Sequence, residues 1–233
     1  MITRYKNKLF SILGDSISTL EGYSVPSDAA FYDNEMKLRS GVITPADTWW
    51  GMLISRLGGE VLINNSFSGS TVCHHPAYEI ESYSSSDERT SSLDFDKTPP
   101  DVILIYMGTN DWGRGIRVSR EEGDVDGGIF FSDCYSLMLE KLKRNYPSAE
   151  IWCFTLARST FPSGGGIFPY EYRGIHMSKY CDEIKRCAQK YGCRVVDLFE
   201  RCAPYEVVDD FHPNLEGMKR IAEAALSEVE RFG

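Results

Sequence analysis

Several features that mark other protein classes are missing from this sequence, and each absence argues against one class. The seven cysteines are odd in number and include no C-x-x-C pair, so neither a disulfide framework nor a zinc ribbon is predicted. No apolar run reaches membrane-spanning length. The patterns G-x-G-x-x-G and G-x-x-x-x-G-K-[ST] do not occur, which argues against a nucleotide-binding domain.

Basic residues are also outnumbered: 25 Lys and Arg stand against 34 Asp and Glu, for a formal net charge of -9. This balance repels a phosphate backbone and an anionic membrane surface, so we expect neither nucleic acid nor a membrane as a partner. The apolar stretch from Leu9 to Gly14 is too short for a secretory signal. We therefore expect a cytoplasmic protein, and leave open its oligomeric state and whether a leader was removed.

What is present indicates an α/β fold. The length of 233 residues suits one buried domain, expected over residues 1–233, and the 42% hydrophobic content is that of a globular protein. Short apolar runs alternate with segments of helical period, which is typical of a mainly parallel sheet. Five strands are predicted: Lys8 to Leu13, Val61 to Asn64, Val102 to Met107, Glu150 to Thr155 and Arg194 to Val196.

Helices are predicted between these strands. Thr44 is placed to cap a helix that begins at Pro45, and Gly58-Gly59 ends it. Three regions show no regular period: residues 21–43, residues 78–100, and the pair 112–131 with 157–169. The first and third follow strands at their carboxyl ends, where ligands bind in doubly wound sheets. They are predicted to shape the substrate site, and the second to be a surface connection with a short helix.

Four short motifs carry candidate chemistry. Ser16 follows the first strand on a turn, and Gly69 follows the second strand, where a glycine lets a backbone N–H approach a ligand. Asn110 follows the third strand and can donate N–H to a developing oxyanion. Asp209 precedes His212 by three residues, a spacing that lets the carboxylate reach Nδ1 so that Nε2 can accept a serine proton. Each motif alone is also ordinary turn chemistry.

Taken together, the motifs resemble a known family. Gly14-Asp15-Ser16, Gly69, Gly108-Thr109-Asn110-Asp111 and Asp209-x-x-His212-Pro213 resemble, in order and spacing, the signature blocks of the SGNH (GDSL-type) hydrolases. The resemblance spans residues 10–218. It implies a flavodoxin-like three-layer α/β/α sandwich with a five-stranded, mainly parallel sheet.

The resemblance also implies roles for these residues in a serine esterase. Ser16 is the expected nucleophile, His212 the base, and Asp209 its orienting carboxylate. The backbone N–H groups of Ser16 and Gly69 and the side chain of Asn110 are expected to form the oxyanion hole. Asp15 and Asp111 match positions that brace the turns, and the triad needs no metal or organic cofactor.

Other interpretations are weaker or remain open. An α/β-hydrolase needs G-x-S-x-G, and here Ser18 replaces the second glycine. Cys73-His74-His75 lacks the second ligand cluster of a metal site and fits an ordinary loop. A non-catalytic module that binds a sugar or an acyl group on the same fold remains the alternative from another class.

The expected substrate is a small ester with a short acyl group, such as an acetylated carbohydrate, because no strongly apolar lid helix is visible. A lysophospholipase or thioesterase activity is the alternative. The loops carry side chains that could stack on a sugar, meet an anion, or pack the loops: Tyr23, Tyr32, Trp112, Phe161, Phe168, Tyr170, Arg114, Arg117 and Arg158. Gly164-Gly165-Gly166 is predicted to be a mobile segment that gates access.

Overall fold

The computed structural model describes residues 3–120, 128–161, 166–167 and 171–232. Its strands are β1 (Leu9–Gly14), β2 (Glu60–Ser66), β3 (Val102–Tyr106), β4 (Glu150–Phe154), β5 (Thr160–Phe161), β6 (Gly166–Ile167), β7 (Glu171–Tyr172), β8 (Ile175–His176) and β9 (Arg194–Val196). Its α-helices are α1 (Asn34–Ser40), α2 (Trp49–Leu57), α3 (Asp87–Ser91), α4 (Thr109–Arg114), α5 (Phe131–Asn145), α6 (Met177–Lys190), α7 (Leu198–Arg201) and α8 (Leu215–Val229).

Five strands form one parallel sheet in the order β2-β1-β3-β4-β9, and they are the five strands predicted from the sequence. Gly14, the last residue of β1, is level with Ser66 on one neighbour and with Tyr106 on the other. The carboxyl ends of three adjacent strands therefore meet at one edge. The turns that follow β1, β2 and β3 are brought side by side at that edge.

The helices lie on both faces of this sheet, as expected of a flavodoxin-like three-layer sandwich. Helices α2 and α8 pack together on one face, and α5 and α6 pack together on the other. Each face of the sheet has its own hydrophobic core, and alternate residues of β3 belong to different cores. Leu104 lies in the cluster with α2 and α8, whereas Ile103 and Ile105 lie in the cluster with α5 and α6. This strand is buried on both sides, which explains why it reads as a continuous apolar run.

Two details of the helix predictions were wrong. The Thr44 capping box exists, but it starts only a single 3-10 turn, Pro45–Asp47. Thr48 then takes an extended backbone conformation and accepts a hydrogen bond from the Gly51 N–H, so α2 begins at Trp49. The region of residues 21–43, read as irregular, contains α1, which is only seven residues long and therefore shows little periodicity.

The stretch after β4 forms two small antiparallel pairs, β5 with β6 and β7 with β8. The predicted short helix within residues 78–100 is α3. All seven cysteines are free thiols. In the described ranges, the helices are too short or too polar to cross a membrane.

Candidate active site

Ser16 lies on the tight turn that leaves β1. It is the first residue of a 3-10 helix, Ser16–Ser18, and a helix's first amides have no partner inside the helix. Asp15 caps this turn: its Oδ1 accepts a hydrogen bond from the Ile17 N–H at 3.0 Å. Burial raises the pKa of Asp15 to about 7, against the opposing effect of that hydrogen bond. Asp15 thus holds the turn, as its match to the family pattern implied.

The imidazole of His212 bridges Ser16 and Asp209. Its Nε2 lies 2.8 Å from the Ser16 Oγ, and its Nδ1 lies 2.7 Å from the Asp209 Oδ2. A carboxylate only accepts hydrogen bonds, so Nδ1 carries the proton of the neutral imidazole and Nε2 faces the hydroxyl as an acceptor. The three side chains predicted from distant parts of the sequence therefore form one hydrogen-bonded chain.

Asp209 is held in place by its own backbone. Its Oδ1 accepts the N–H groups of Phe211 and His212, each at 2.8 Å, while its Oδ2 faces the imidazole. Burial opposes its charge, but the hydrogen bonds from the His212 side chain and from these two amides prevail and lower the pKa of Asp209 to about 2. The carboxylate is consequently ionised at neutral pH.

Aromatic residues position the loop that carries His212. The ring of Phe31 stacks on the imidazole, with centroids 3.4 Å apart and an angle of 12° between the planes. The Tyr205 hydroxyl donates to the carbonyl of the residue before His212 at 2.8 Å, and the Tyr32 hydroxyl donates to that of the residue after it at 2.7 Å. The loop is therefore fixed on both sides of the imidazole.

Gly69 and Asn110 lie across the cleft from this loop. Gly69 has a φ of 77°, in the left-handed region that favours glycine. Asn110 belongs to the first turn of α4, and its Nδ2 donates to the Ser70 carbonyl at 2.9 Å. An amide nitrogen carries two hydrogens, so this bond orients the side chain and leaves a second N–H for a ligand.

Asp111 links α4 to the turn after β2. Its carboxylate accepts the N–H groups of Val72 at 2.8 Å and Cys73 at 3.1 Å, and it is completely buried. Burial raises the pKa of Asp111 to about 6, although these hydrogen bonds favour the charged form. The Asp111 side chain thereby connects the helix that carries Asn110 to the segment that follows Gly69. This is the bracing role expected from the family pattern.

Arg89 is a buried residue that the sequence analysis missed. Its side chain donates to Asn65 Oδ1 (2.5 Å), Ser70 Oγ (2.9 Å), Ser82 Oγ (2.5 Å), and the carbonyls of Gly14 (3.1 Å) and Asn65 (2.8 Å). These contacts occupy all five guanidinium N–H groups. Burial lowers the pKa of Arg89 to about 10. Arg89 thereby ties the ends of β1 and β2 to the turn that follows Gly69.

The convergence of serines on Arg89 could not be read from local sequence, because its partners lie up to 75 positions away. The only signal was an arginine in a serine-rich stretch, Ser84-Ser85-Ser86 with Arg89 three residues on. Such stretches are ordinary on surfaces. The contact set is a tertiary property.

A small cleft opens between these groups. Its volume is about 220 Å³, and it is lined by Ser16, Ile17, Ser68, Gly69, Thr109, Asn110, Gly113, Phe211 and His212. Four of the five predicted catalytic and oxyanion residues border it directly, and the exception is Asp209. Asp209 lies behind the imidazole, where it can orient the base without touching a ligand.

The other loop side chains that the sequence analysis named differ in their burial and contacts. Tyr32 and Trp112 are fully buried, so they pack the loops and cannot stack on a sugar. Tyr23 is 53% exposed. Arg117 and Arg158 lie over the rings of Phe130 and Phe199, and Arg114 Nη1 lies 3.4 Å from the Gly69 carbonyl. Phe168, Tyr170, Gly164 and Gly165 fall outside the described residues, as does the side chain of Phe161.

The Cys73-His74-His75 segment forms a loop. Cys73 is buried, the ring of His74 lies against Tyr83, and His75 Nδ1 accepts the Ala77 N–H at 3.2 Å. No three His, Cys, Asp or Glu side chains converge into a metal site within the part of the chain that the structure describes.

The fold and this edge of the sheet define a class: flavodoxin-like α/β proteins of the SGNH hydrolase type. Residues 8–159 match the family model described as GDSL-like lipase/acylhydrolase. The chain therefore belongs to the GDSL-like lipase/acylhydrolase family. No curated protein matches its sequence.

Solved structures share the whole fold. A protein described as a GDSL-like lipase, from Bacteroides uniformis, is 27% identical, with 97% of each chain covered and a TM-score of 0.71. Est24, a carbohydrate acetylesterase from Sinorhizobium meliloti, is 15% identical over 97% of this chain and 100% of its own, with a TM-score of 0.66. An aryl esterase from M. smegmatis is 17% identical over 97% and 100%, with a TM-score of 0.62.

Proposed function

We propose that this protein hydrolyses small carboxylic esters through an acyl-enzyme formed on Ser16. The observation that carries the proposal is the chain of hydrogen bonds from Asp209 through His212 to Ser16, which opens into a cleft bordered by Gly69 and Asn110. Membership of an acylhydrolase family supports it. No metal or organic cofactor takes part in this scheme.

In the first half-reaction, the Ser16 Oγ attacks the ester carbonyl carbon while His212 Nε2 takes the hydroxyl proton. The carbonyl π electrons move onto its oxygen and form a tetrahedral oxyanion. The ionised Asp209 stabilises the imidazolium produced at His212. As the oxyanion collapses, Nε2 gives its proton to the departing alkoxide, so an alcohol leaves and the acyl group stays on Ser16.

In the second half-reaction, a water molecule takes the place of the alcohol. His212 Nε2 removes one water proton as the water oxygen attacks the acyl carbon, and then returns the proton to Ser16 Oγ as the carboxylic acid leaves. The imidazole ends in the form in which it began.

The oxyanion is stabilised by three donors at the carboxyl ends of three adjacent strands. These are the backbone N–H groups of Ser16 and Gly69 and the free N–H of the Asn110 amide. Since Asn110 is held by Ser70, and the turns by Asp15, Asp111 and Arg89, the donors need little reorganisation when charge develops.

The size of the cleft supports a short acyl group. Its volume of about 220 Å³ lies below the roughly 300–1,000 Å³ of pockets that enclose drug-sized ligands. An acetylated carbohydrate is the substrate class that we favour, and the similar fold of a carbohydrate acetylesterase is compatible with it. A lysophospholipase or long-chain thioesterase needs room for a long acyl chain, and a cleft of this volume favours a short one.

Labelling by a fluorophosphonate tests the mechanism, since only an activated serine reacts. We expect wild type to be labelled at Ser16 and the Ser16→Ala variant not to be. Ser91→Ala, at an exposed serine of α3, is the matched control and should label like wild type. A folded wild type that stays unlabelled and hydrolyses no ester would support the non-catalytic binding module instead.

A series of p-nitrophenyl esters from acetate to palmitate, followed by acetylated sugars, tests the substrate. We expect kcat/KM to be highest at two to four acyl carbons. A maximum at long acyl chains would contradict the short-acyl assignment and favour the lysophospholipase or thioesterase alternative.

A further inference from the structure

Gly113 is a glycine with no conformational reason to be one. It lies inside α4, and its backbone is not in the left-handed region that favours glycine, unlike that of Gly115, which ends the helix at a φ of 68°. A glycine in a helix is less favourable than an alanine, because its backbone loses more freedom on folding. Helix formation alone therefore favours a side chain at this position.

Packing also fails to explain Gly113. A Cβ built there would meet no heavy atom of the described residues within 4 Å, although the residue is one of those lining the cleft. By contrast, a Cβ at Gly51 in α2 would lie 1.8 Å from the Pro45 carbonyl oxygen, so that glycine is needed for packing. Among the described residues, the space beside Gly113 is open, and Gly113 itself lines the cleft.

We propose that Gly113 determines acyl-chain specificity by leaving room for the acyl group beside the oxyanion donors. This inference rests on the proposed ester hydrolysis. Gly113 follows Asn110 by three residues in the same helix, so the two lie on one helical face. On this face of α4, which lines the cleft, Asn110 presents a hydrogen-bond donor and Gly113 presents only backbone. We call this face the α4 wall of the cleft.

We assign the acyl group, and not the alcohol, to this wall because the departing alkoxide must receive a proton from His212. The departing alkoxide has to lie at His212 Nε2, which is on the Ser16 side of the cleft. The oxyanion points at Gly69 and Asn110. The remaining substituent of the tetrahedral carbon is the acyl chain, and the continuation of the α4 wall past Asn110 is the space left for it.

The test is the ratio of kcat/KM for p-nitrophenyl butyrate to that for p-nitrophenyl acetate in Gly113→Ala and Gly113→Val. One methylene in a closely fitting pocket changes specificity by about 10-fold to 200-fold. We expect the butyrate to acetate ratio to fall about tenfold in Gly113→Ala and further in Gly113→Val. We also expect the Tm of Gly113→Ala to rise by about 2 °C, since alanine favours the helix.

Controls separate the possible failures. Ser227→Ala, at an exposed position of α8, introduces an alanine into a helix outside the site and should leave the ratio unchanged. A second series varies the alcohol at constant acetyl group. If wild type hydrolyses esters and Gly113→Ala keeps the acyl ratio of wild type, or alters only the alcohol preference, the inference is wrong while the proposed function stands. If wild type neither hydrolyses esters nor reacts with the fluorophosphonate, the proposed function itself fails.

Discussion

The two sides of the cleft are built differently. The donor side, with Ser16, Gly69 and Asn110, rests on three buried strand ends, and Arg89 ties the ends of β1 and β2 together. The base side is one loop, in which the side chain of Asp209 is 40% exposed and the imidazole is held by aromatic neighbours. In the proposed mechanism, the oxyanion donors require fixed positions, whereas the base must pass a proton between serine and substrate. The donor side is thus held by the sheet and by buried hydrogen bonds, whereas the His212 loop is held by aromatic contacts and by hydrogen bonds to its own backbone.

The two sides also respond to protons in opposite directions. On the donor side, burial raises the pKa of Asp15 to about 7 and that of Asp111 to about 6. On the base side, the hydrogen bonds to Asp209 outweigh burial and lower its pKa to about 2. Each contrast between the two sides can be tested by substitution, from the largest expected effect to the smallest.

Asp209→Asn is expected to lower kcat by about 10⁴-fold with little change in KM. Because Oδ1 accepts two backbone N–H groups, the amide oxygen of asparagine must occupy that place and its NH₂ must face Nδ1. Nδ1 then accepts, Nε2 carries the proton, and it can no longer take the proton of Ser16. Steady-state kinetics on p-nitrophenyl acetate measure the effect. A loss below tenfold would show that the carboxylate does not set the tautomer.

Asn110→Ala is expected to lower kcat by about 10²-fold to 10³-fold, the usual effect of removing one oxyanion donor. KM should change little, because the donor acts on charge that exists only in the transition state. Thr109→Ala, at the neighbouring residue of the cleft lining, is the control. Equal losses in the two variants would argue against a special role for the amide.

Arg89→Met is expected to lower the free energy of unfolding by at least about 2 kcal/mol, because the carbonyls of Gly14 and Asn65 lose their donors in a buried site. Arg89→Lys keeps the charge but has fewer donors, so its loss should be smaller. Urea denaturation measures both. Arg186→Met removes an exposed arginine paired with Glu183 and should cost less than about 1 kcal/mol. Similar losses at positions 89 and 186 would contradict the bracing role.

Asp15→Asn is expected to change how stability varies with pH. The pKa of Asp15 is raised from 3.8 to about 7 on folding, so its stabilising contribution is complete below pH 3.8 and is lost as pH rises through about 7. The variant should lack that part of the decline. Urea denaturation between pH 4 and 8 checks this. Parallel profiles for the variant and wild type would refute the shift.

Asp209 gives the opposite sign when the urea denaturation is extended to the acid range between pH 4 and pH 2. Its folded pKa of about 2 lies below the ordinary 3.8, so its contribution is present above pH 3.8 and is lost as pH falls through about 2. Asp209→Asn should therefore reduce the loss of stability at the acid end, where Asp15→Asn has no such effect. The two variants together distinguish the sides of the cleft.

Phe31→Leu is expected to lower kcat by up to about tenfold, the smallest effect in the series. The ring stacks on the imidazole, and such aromatic pairs contribute about 0.5–1.5 kcal/mol beyond simple burial. Phe31→Tyr keeps a ring at this position and should retain activity near that of wild type. If leucine and tyrosine variants behave alike, the ring does not position the base.

Much of the fold could be predicted from local sequence. The five sheet strands are short apolar runs, and a strand such as β3, buried on both faces, has no other interpretation once its length is considered. The helix start predicted at Thr44 exists, but it begins only a short 3-10 helix, because Thr48 caps the longer helix α2 four residues later. Only the folded chain determines which of two adjacent caps begins the longer helix.

The candidate site residues and the two bracing carboxylates, Asp15 and Asp111, could be placed by motif, but the more distant supports could not. Ser16, Gly69, Asn110, Asp209 and His212 lie in short blocks at strand ends, which sequence displays directly. Arg89 and Phe31 act through contacts across the chain, and a pattern of one or two residues cannot reveal them. Tyr32 and Trp112 were ambiguous for the same reason: an aromatic residue in a loop is either a ligand platform or core, and burial decides.

Ser16 and His212 are 196 positions apart in the chain, and the Tyr32 hydroxyl that fixes the far loop is 181 positions from its acceptor. During synthesis, Ser16 therefore emerges from the ribosome long before His212. Cleavage at the exposed turn near Phe95 would leave the two on separate fragments. Because the proposed reaction needs both residues, ester turnover would measure whether the two fragments reassociate.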